Sequence, residues 1–131
     1  MVQCSAQLEF SRGIEPTTQL KKIPAAFYQT GASREPVREW LRALEAEDRK
    51  VIGEDIATIE YGWPVGMPVC TPLGHGLWEV RSTLGNNRIA RVLFGIVGSR
   101  MVLLHGFIKK TRKTPDKDLS LARERLKEIA K

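Results

Sequence analysis

From residue 77 onward the apolar positions recur at every second residue, the period of a half-buried strand. In residues 77–82, Trp78 and Val80 fall on one side, and Glu79 and Arg81 fall on the other. Residues 88–97 repeat the pattern: Ala90, Val92, Phe94 and Ile96 share a face, with Arg91 opposite. Gly85-Asn86-Asn87 between the two stretches is a hairpin signal. Gly98-Ser99 fits a two-residue turn with Gly at a positive φ, before a third strand over 100–108. Three successive strands on tight turns predict an antiparallel meander.

Upstream the period lengthens to that of a helix. Val37, Trp40, Leu41 and Leu44 recur at i, i+3, i+4 and i+7, with Ser33 as the expected N-cap and Glu35 and Pro36 in the first turn. A second helix is expected behind an Asp48 cap, with Val51, Ile52, Ile56 and Ile59 as its buried stripe and Gly53 as a weak point. Residues 24–30 read as a short strand carrying Phe27 and Tyr28. Residues 61–76 are rich in Gly and Pro and read as a long loop ending near His75, itself a surface residue on this reading. Residues 1–20 show no clean periodicity and contain the turn-forming Pro16-Thr17-Thr18, so they read as a poorly ordered leader ahead of a single domain over 21–131. At the other end Thr114 is the expected cap of a final helix, with Pro115 at its first position and Asp116 and Asp118 in the first turn. Leu119, Ala122, Leu126 and Ile129 form its apolar stripe. The expected fold class is α+β: a short N-terminal strand and two helices packed on an antiparallel three-strand meander, then a C-terminal helix. Helices are expected on one sheet face, leaving the other to Arg81 and Arg91.

Composition narrows the function classes. Two cysteines, Cys4 and Cys70, in 131 residues make neither a disulfide framework nor, with two histidines, a metal site, so a reducing cytoplasm is expected with no metal and no cofactor. There is no apolar run near the ~18 residues of a membrane span, no signal-peptide h-region, no Gly-rich phosphate loop and no nucleophile elbow. Charge is unevenly divided. Residues 1–60 carry 8 Lys+Arg against 10 Asp+Glu, whereas residues 61–131 carry 13 against 5. A positive field confined to one half suggests a nucleic-acid partner.

That field peaks where the third strand ends, in VLLHGFIKKTRKTP over residues 102–115. Lys109, Lys110, Arg112 and Lys113 place four cations within five residues, an arrangement that a polyanion would neutralise and that a solvated basic loop would leave to water. Arg81 and Arg91, on adjacent strands, are expected to converge with Lys109 and Lys110 on one concave face within reach of a phosphate. The alternative for Arg81 is a pairing with Glu79 or the helix acids. Cleaving RNA by in-line attack of a ribose 2′-hydroxyl requires three things. A proton must leave, a dianionic transition state must be stabilised, and the 5′ oxygen must be protonated. Arg and Lys supply the second, and a Lys can move protons only if neighbouring cations depress its pKa. His105 is either a general base or a buried core histidine, since Leu103, His105 and Phe107 share a strand face on this reading. Arg88, Thr111, Arg112 and Lys113 complete the expected RNA-contacting set.

Several pieces together carry a resemblance: FYQTGASREPVREWLRALEAEDRKVIGEDI, YGWPVGMP, GLWEVRS, RIARVLF, LLHGFIKKTRKTP and LSLARERLKE. In this order they resemble the phage-derived, HigB-like branch of the RelE/ParE toxin superfamily of type II toxin–antitoxin systems, over roughly Ile23 to the C-terminus. The resemblance implies a metal-independent mRNA interferase that enters the ribosomal A site, with mRNA and ribosome as targets. It also implies a cognate helix-turn-helix antitoxin encoded nearby. Carried over by position, the basic residues are Arg81 in EVRS, Arg91 in IARV, and the terminal pair Lys109 and Lys110. The chain lacks the Tyr or His found near the C-terminal end of better-studied members, which leaves the proton-transfer residue open. It equally leaves room for a ParE-like gyrase inhibitor without nuclease chemistry, and a bare nucleic-acid-binding domain is the third reading.

Overall fold

The meander forms in the expected order. The computed structural model describes residues 20–64, 69–109 and 113–130. Strand β3 (Leu77–Thr83) pairs antiparallel with β4 (Ile89–Val97), which pairs antiparallel with β5 (Arg100–Lys109). The first connection closes through Asn86 and Asn87, both at positive φ (61° and 60°), the conformation that Asn tolerates best after Gly. At the second connection Gly98 has φ 67°. Two further strands extend the sheet: β1 (Ala25–Phe27) lies parallel to β5, and β2 (Cys70–Gly74) lies antiparallel to β3, giving the order β1-β5-β4-β3-β2.

Strand β2 corrects the expectation of an unbroken loop over 61–76. Pro72 and Gly74 hide it from a pattern search, yet both are tolerated because β2 is an edge strand with a register shift between Pro72 and Gly74. Its Cys70 is buried, and desolvation pushes the thiol up to about 11, so it packs as a small apolar group. Residues 65–68 of that expected loop, and residues 1–19 of the expected leader, lie outside the described residues.

Helices α1 (Pro36–Arg42) and α2 (Ala46–Gly62) cover one face of the sheet. Val37 and Leu41 from α1 and Ile52, Ile56 and Ile59 from α2 are buried there with Val80, Val92, Phe94 and Leu103. The caps differ from expectation. Glu35 and Glu45 hold the N-cap positions with no side-chain cap bond, and Ser33 sits at φ 65° outside the helix. Asp48 instead takes a fork from Arg88 (2.9 and 3.1 Å), tying α2 to the start of β4. At the far end of α2, buried Glu60 accepts the Ala25 backbone N–H at 2.6 Å and meets Lys21 at 3.2 Å, which fixes the chain where it enters β1.

The C-terminal helix α3 (Asp116–Ile129) lies on the opposite face, so the expected single helical face is divided. Leu119, Ala122 and Leu126 pack there against Leu77, Leu93, Leu104 and Phe107. Tyr28 donates its hydroxyl to Glu128 at 2.6 Å, and Arg123 and Arg125 donate to the carbonyls of Leu73 and Leu104. The Leu104 carbonyl is available because Leu104 is the extra residue of a bulge: Leu93 faces His105, while Phe94 faces Leu103. That bulge also corrects the expected face of residue 103. Leu103 joins the α1/α2 core, whereas His105 and Phe107 face the α3 side.

Between those two lies Gly106, on the α1 side. A Cβ placed there would meet Cε3 and Cζ3 of Trp40 at 2.5 Å, a contact that no side-chain rotation of the new methyl relieves. Gly106→Ala is therefore expected to lower stability by about 1–3 kcal/mol as α1 is pushed off the sheet. A urea titration measures it, and an unchanged midpoint would show that the indole swings away freely.

Candidate active site

The register of the meander arranges the α3-side face in rows. Glu79, Leu93 and His105 stand across from one another, then Arg81, Arg91 and Phe107, then Thr83, Ile89 and Lys109. Successive rows are two residues apart along a strand, about 7 Å, and adjacent strands are about 5 Å apart. Within this small area lie three of the expected cations and the histidine, with the first turn of α3 against them.

Arg81 and Arg91 are directly opposed across β3 and β4. Like charges in that relation destabilise a sheet, and each is handled differently. Arg91 is 0% exposed, and its Nε lies 3.9 Å from Oε2 of Glu79, which is 4% exposed. Burial pulls the Arg91 guanidinium below its ordinary pKa, Glu79 opposes that pull, and Arg81 adds to it. The same Glu79 oxygen accepts the Thr114 hydroxyl at 2.6 Å. Thr114 thus fails to cap α3, whose N-cap is Pro115, and pins the start of that helix to β3 instead. These placements correct two expectations. Glu79 serves Arg91 rather than Arg81, and Arg91 presents no surface to a phosphate, because β4 is a central strand covered on both sides. Arg91 underlies the face, and its charge reaches the surface only as a field.

Arg81, by contrast, is half-buried and borders a cleft of about 520 Å³ shared with Asp55, Val69, Thr71, Thr83 and Ile89. The cleft lies where β2 stops short of the end of β3. On its α2 side, Asp55 accepts the Ser82 hydroxyl at 2.6 Å, and burial pushes its carboxyl above the usual range. Arg81 therefore offers a guanidinium fork at the mouth of a recess with two threonine hydroxyls, a suitable arrangement for a phosphate and its attached sugar.

His105 is neither a fully buried core residue nor a surface one: its side chain is 19% exposed. Its Nε2 lies 2.6 Å from Oδ1 of Asp118 in the first turn of α3, and its ring stacks on Phe107 at 5.4 Å and 28°. A carboxylate can only accept, so Nε2 carries the hydrogen, and Nδ1 is the nitrogen not engaged by Asp118. Lys109, 44% exposed, stands 3.8 Å from Oδ2 of Asp118 and 5.9 Å from the centre of the Phe107 ring. An imidazole, an ammonium and a guanidinium are thus gathered on one face. Asp118 and Phe107 were not legible as site residues. Asp118 reads as a first-turn helix acid like Asp116, and only the return of α3 across the sheet brings it to His105.

The remaining expected contacts divide. Arg88 donates to Asp48 and to the Gly85 carbonyl (3.0 Å), so its guanidinium holds α2 to the hairpin. Lys113 is exposed beside Thr114. Lys110, Thr111 and Arg112 lie outside the described residues. Among the described residues no three His, Cys, Asp or Glu side chains are grouped to hold a metal ion, and no helix is long and apolar enough to cross a membrane.

Comparison with known proteins places this face in a family. No curated protein matches the chain significantly in sequence. The model of the family described as phage derived protein Gp49-like (DUF891) matches residues 39–127, a stretch running from within α1 through β2–β5 into the last turns of α3. The opposed arginines, His105, Lys109 and Asp118 all fall inside it. The chain belongs to the phage-derived Gp49-like family.

Proposed function

We propose that this protein is the toxin of a type II toxin–antitoxin system and that it acts as an endoribonuclease on translated mRNA, without a metal. The observation that carries the reading is the meander face itself. Arg81 and Arg91 oppose each other one row from His105 and one row from Lys109, an arrangement whose internal repulsion an anion relieves. Gp49-like membership and the RelE-like order of elements support the toxin assignment through the resemblance to the RelE/ParE superfamily.

On this reading the scissile phosphate sits at Arg81 and Lys109, and Lys110, Thr111, Arg112 and Lys113 are further contacts to the RNA. His105 takes the proton from the 2′-hydroxyl through Nδ1. The 2′ oxygen forms its bond to phosphorus as the bond to the 5′ oxygen breaks. Arg81 and Lys109 neutralise the charge that gathers on the equatorial oxygens, with Arg91 adding to the field from beneath. A cation of the 109–113 segment, or His105 once protonated, returns a proton to the departing 5′ oxygen, leaving a 2′,3′-cyclic phosphate and a 5′-hydroxyl. A helix-turn-helix antitoxin is the expected neutralising partner, and the ribosome is the platform on which mRNA is presented.

Inducible expression followed by mapping of mRNA 5′ ends tests the proposal. New 5′-hydroxyl ends within translated frames, with growth arrest relieved by the neighbouring reading frame, are expected. Growth arrest with intact mRNA and broken DNA would move the protein to gyrase inhibition, and neither effect would leave only a nucleic-acid-binding domain.

A further inference from the structure

Asp118 stands between two groups on which the proposed cleavage depends, and its environment is more constrained than a helix-capping acid requires. It is 7% exposed although it lies in the first turn of a helix, where acids usually reach into water. Oδ1 is 2.6 Å from Nε2 of His105, and Oδ2 faces Nζ of Lys109 at 3.8 Å. The His105 ring stacks on Phe107 from its own strand, and the Leu104 bulge turns it toward α3. The ring therefore has its plane set by Phe107 and its hydrogen-bearing nitrogen set by Asp118.

From this geometry we infer that Asp118 is the positioning residue for His105. It holds the ring by Nε2–H, presents Nδ1 to the 2′-hydroxyl, and stabilises the imidazolium formed when Nδ1 takes the proton. Among the described residues, Asp118 from α3 contacts His105 and Lys109 approaches the same carboxylate, while Glu79, two strands away in the same row, is turned to Arg91 and Thr114. Asp118 touches no substrate atom. This inference rests on the proposal that His105 is the general base of an RNA cleavage.

The test is a mutant cycle in the full-length protein on programmed ribosomes, with kcat and KM measured for wild type, His105→Ala, Asp118→Ala, Asp118→Asn and the His105→Ala/Asp118→Ala pair. Asp118→Ala is expected to lower kcat about 10²-fold with KM nearly unchanged, since ring orientation matters to proton transfer and not to phosphate binding. Asn retains the acceptor oxygen without the charge, so Asp118→Asn is expected to recover part of that loss. In the His105→Ala background Asp118→Ala is expected to change kcat less than twofold, because the residue it positions is gone. A role confined to docking α3 would instead show as a further drop in that background, in step with a lower melting temperature, and would overturn the inference. Full activity of Asp118→Ala beside an inactive His105→Ala would overturn it while leaving the nuclease reading intact. Absence of cleavage by the wild type, or full activity of His105→Ala, would overturn the nuclease reading and this inference with it.

Discussion

Replacing Arg81 by alanine is expected to slow RNA cleavage by about 10²–10³-fold without lowering the stability of the fold. The two halves of that expectation have one cause. Arg81 is directly across from buried Arg91, and the only carboxylate in the row above, Glu79, is spent on Arg91 and Thr114. Among the described residues no carboxylate pairs with Arg81, so on the proposed reading its repulsion with Arg91 is relieved when phosphate binds. Truncating the side chain relieves the repulsion and removes the fork proposed to bind the transition-state oxygens. Chemical denaturation of Arg81→Ala should give a midpoint equal to or above that of the wild type, and single-turnover cleavage should give the rate loss. A clear fall in the midpoint would mean that Arg81 is a structural residue and that the cleft beside it is incidental.

Arg91→Ala is expected to behave in the opposite way and to destabilise the protein by about 3–5 kcal/mol, enough to unfold a marginal domain. It removes the largest fully buried side chain among the described residues and leaves the buried Glu79 carboxyl without its guanidinium neighbour. Pairing the change with Glu79→Gln separates the two costs. Arg91→Met/Glu79→Gln removes both charges and fills most of the volume, so it is expected to recover more than half of the loss in a urea titration. Equal instability of the double variant would show that volume rather than charge governs the position.

Much of this was legible in the chain and some was not, for physical reasons. The alternation around Trp78 and Val80, the Asn86-Asn87 turn and the Val37–Leu41 stripe report burial on one side of a local element, and local elements follow from local pattern. Strand β2 was hidden because Pro72 and Gly74 are tolerated at an edge for reasons that a pattern of breakers cannot express. The face of His105 depended on one inserted residue, Leu104, which shifts everything after it relative to Leu103. The burial of Arg91 followed from α3 crossing the second face, a tertiary fact. The alternation placed Arg81 and Arg91 on the shared face correctly, yet nothing local said that one would be covered and the other not. Asp118 lay thirteen residues from His105 with a chain reversal between them. Asp48, read as a cap, is instead bound to the distant Arg88.

The two borders of the sheet have a consequence of their own. Strand β1 is three residues long, and β2 is interrupted by Pro72 and a register shift. Neither offers a long run of evenly spaced backbone donors and acceptors, so a second copy finds little on which to continue the ladder. Edges this short or broken make poor templates for growth of a cross-β ladder. By the same logic, a partner that neutralises this protein gains little from adding a strand and must find its grip on side chains instead.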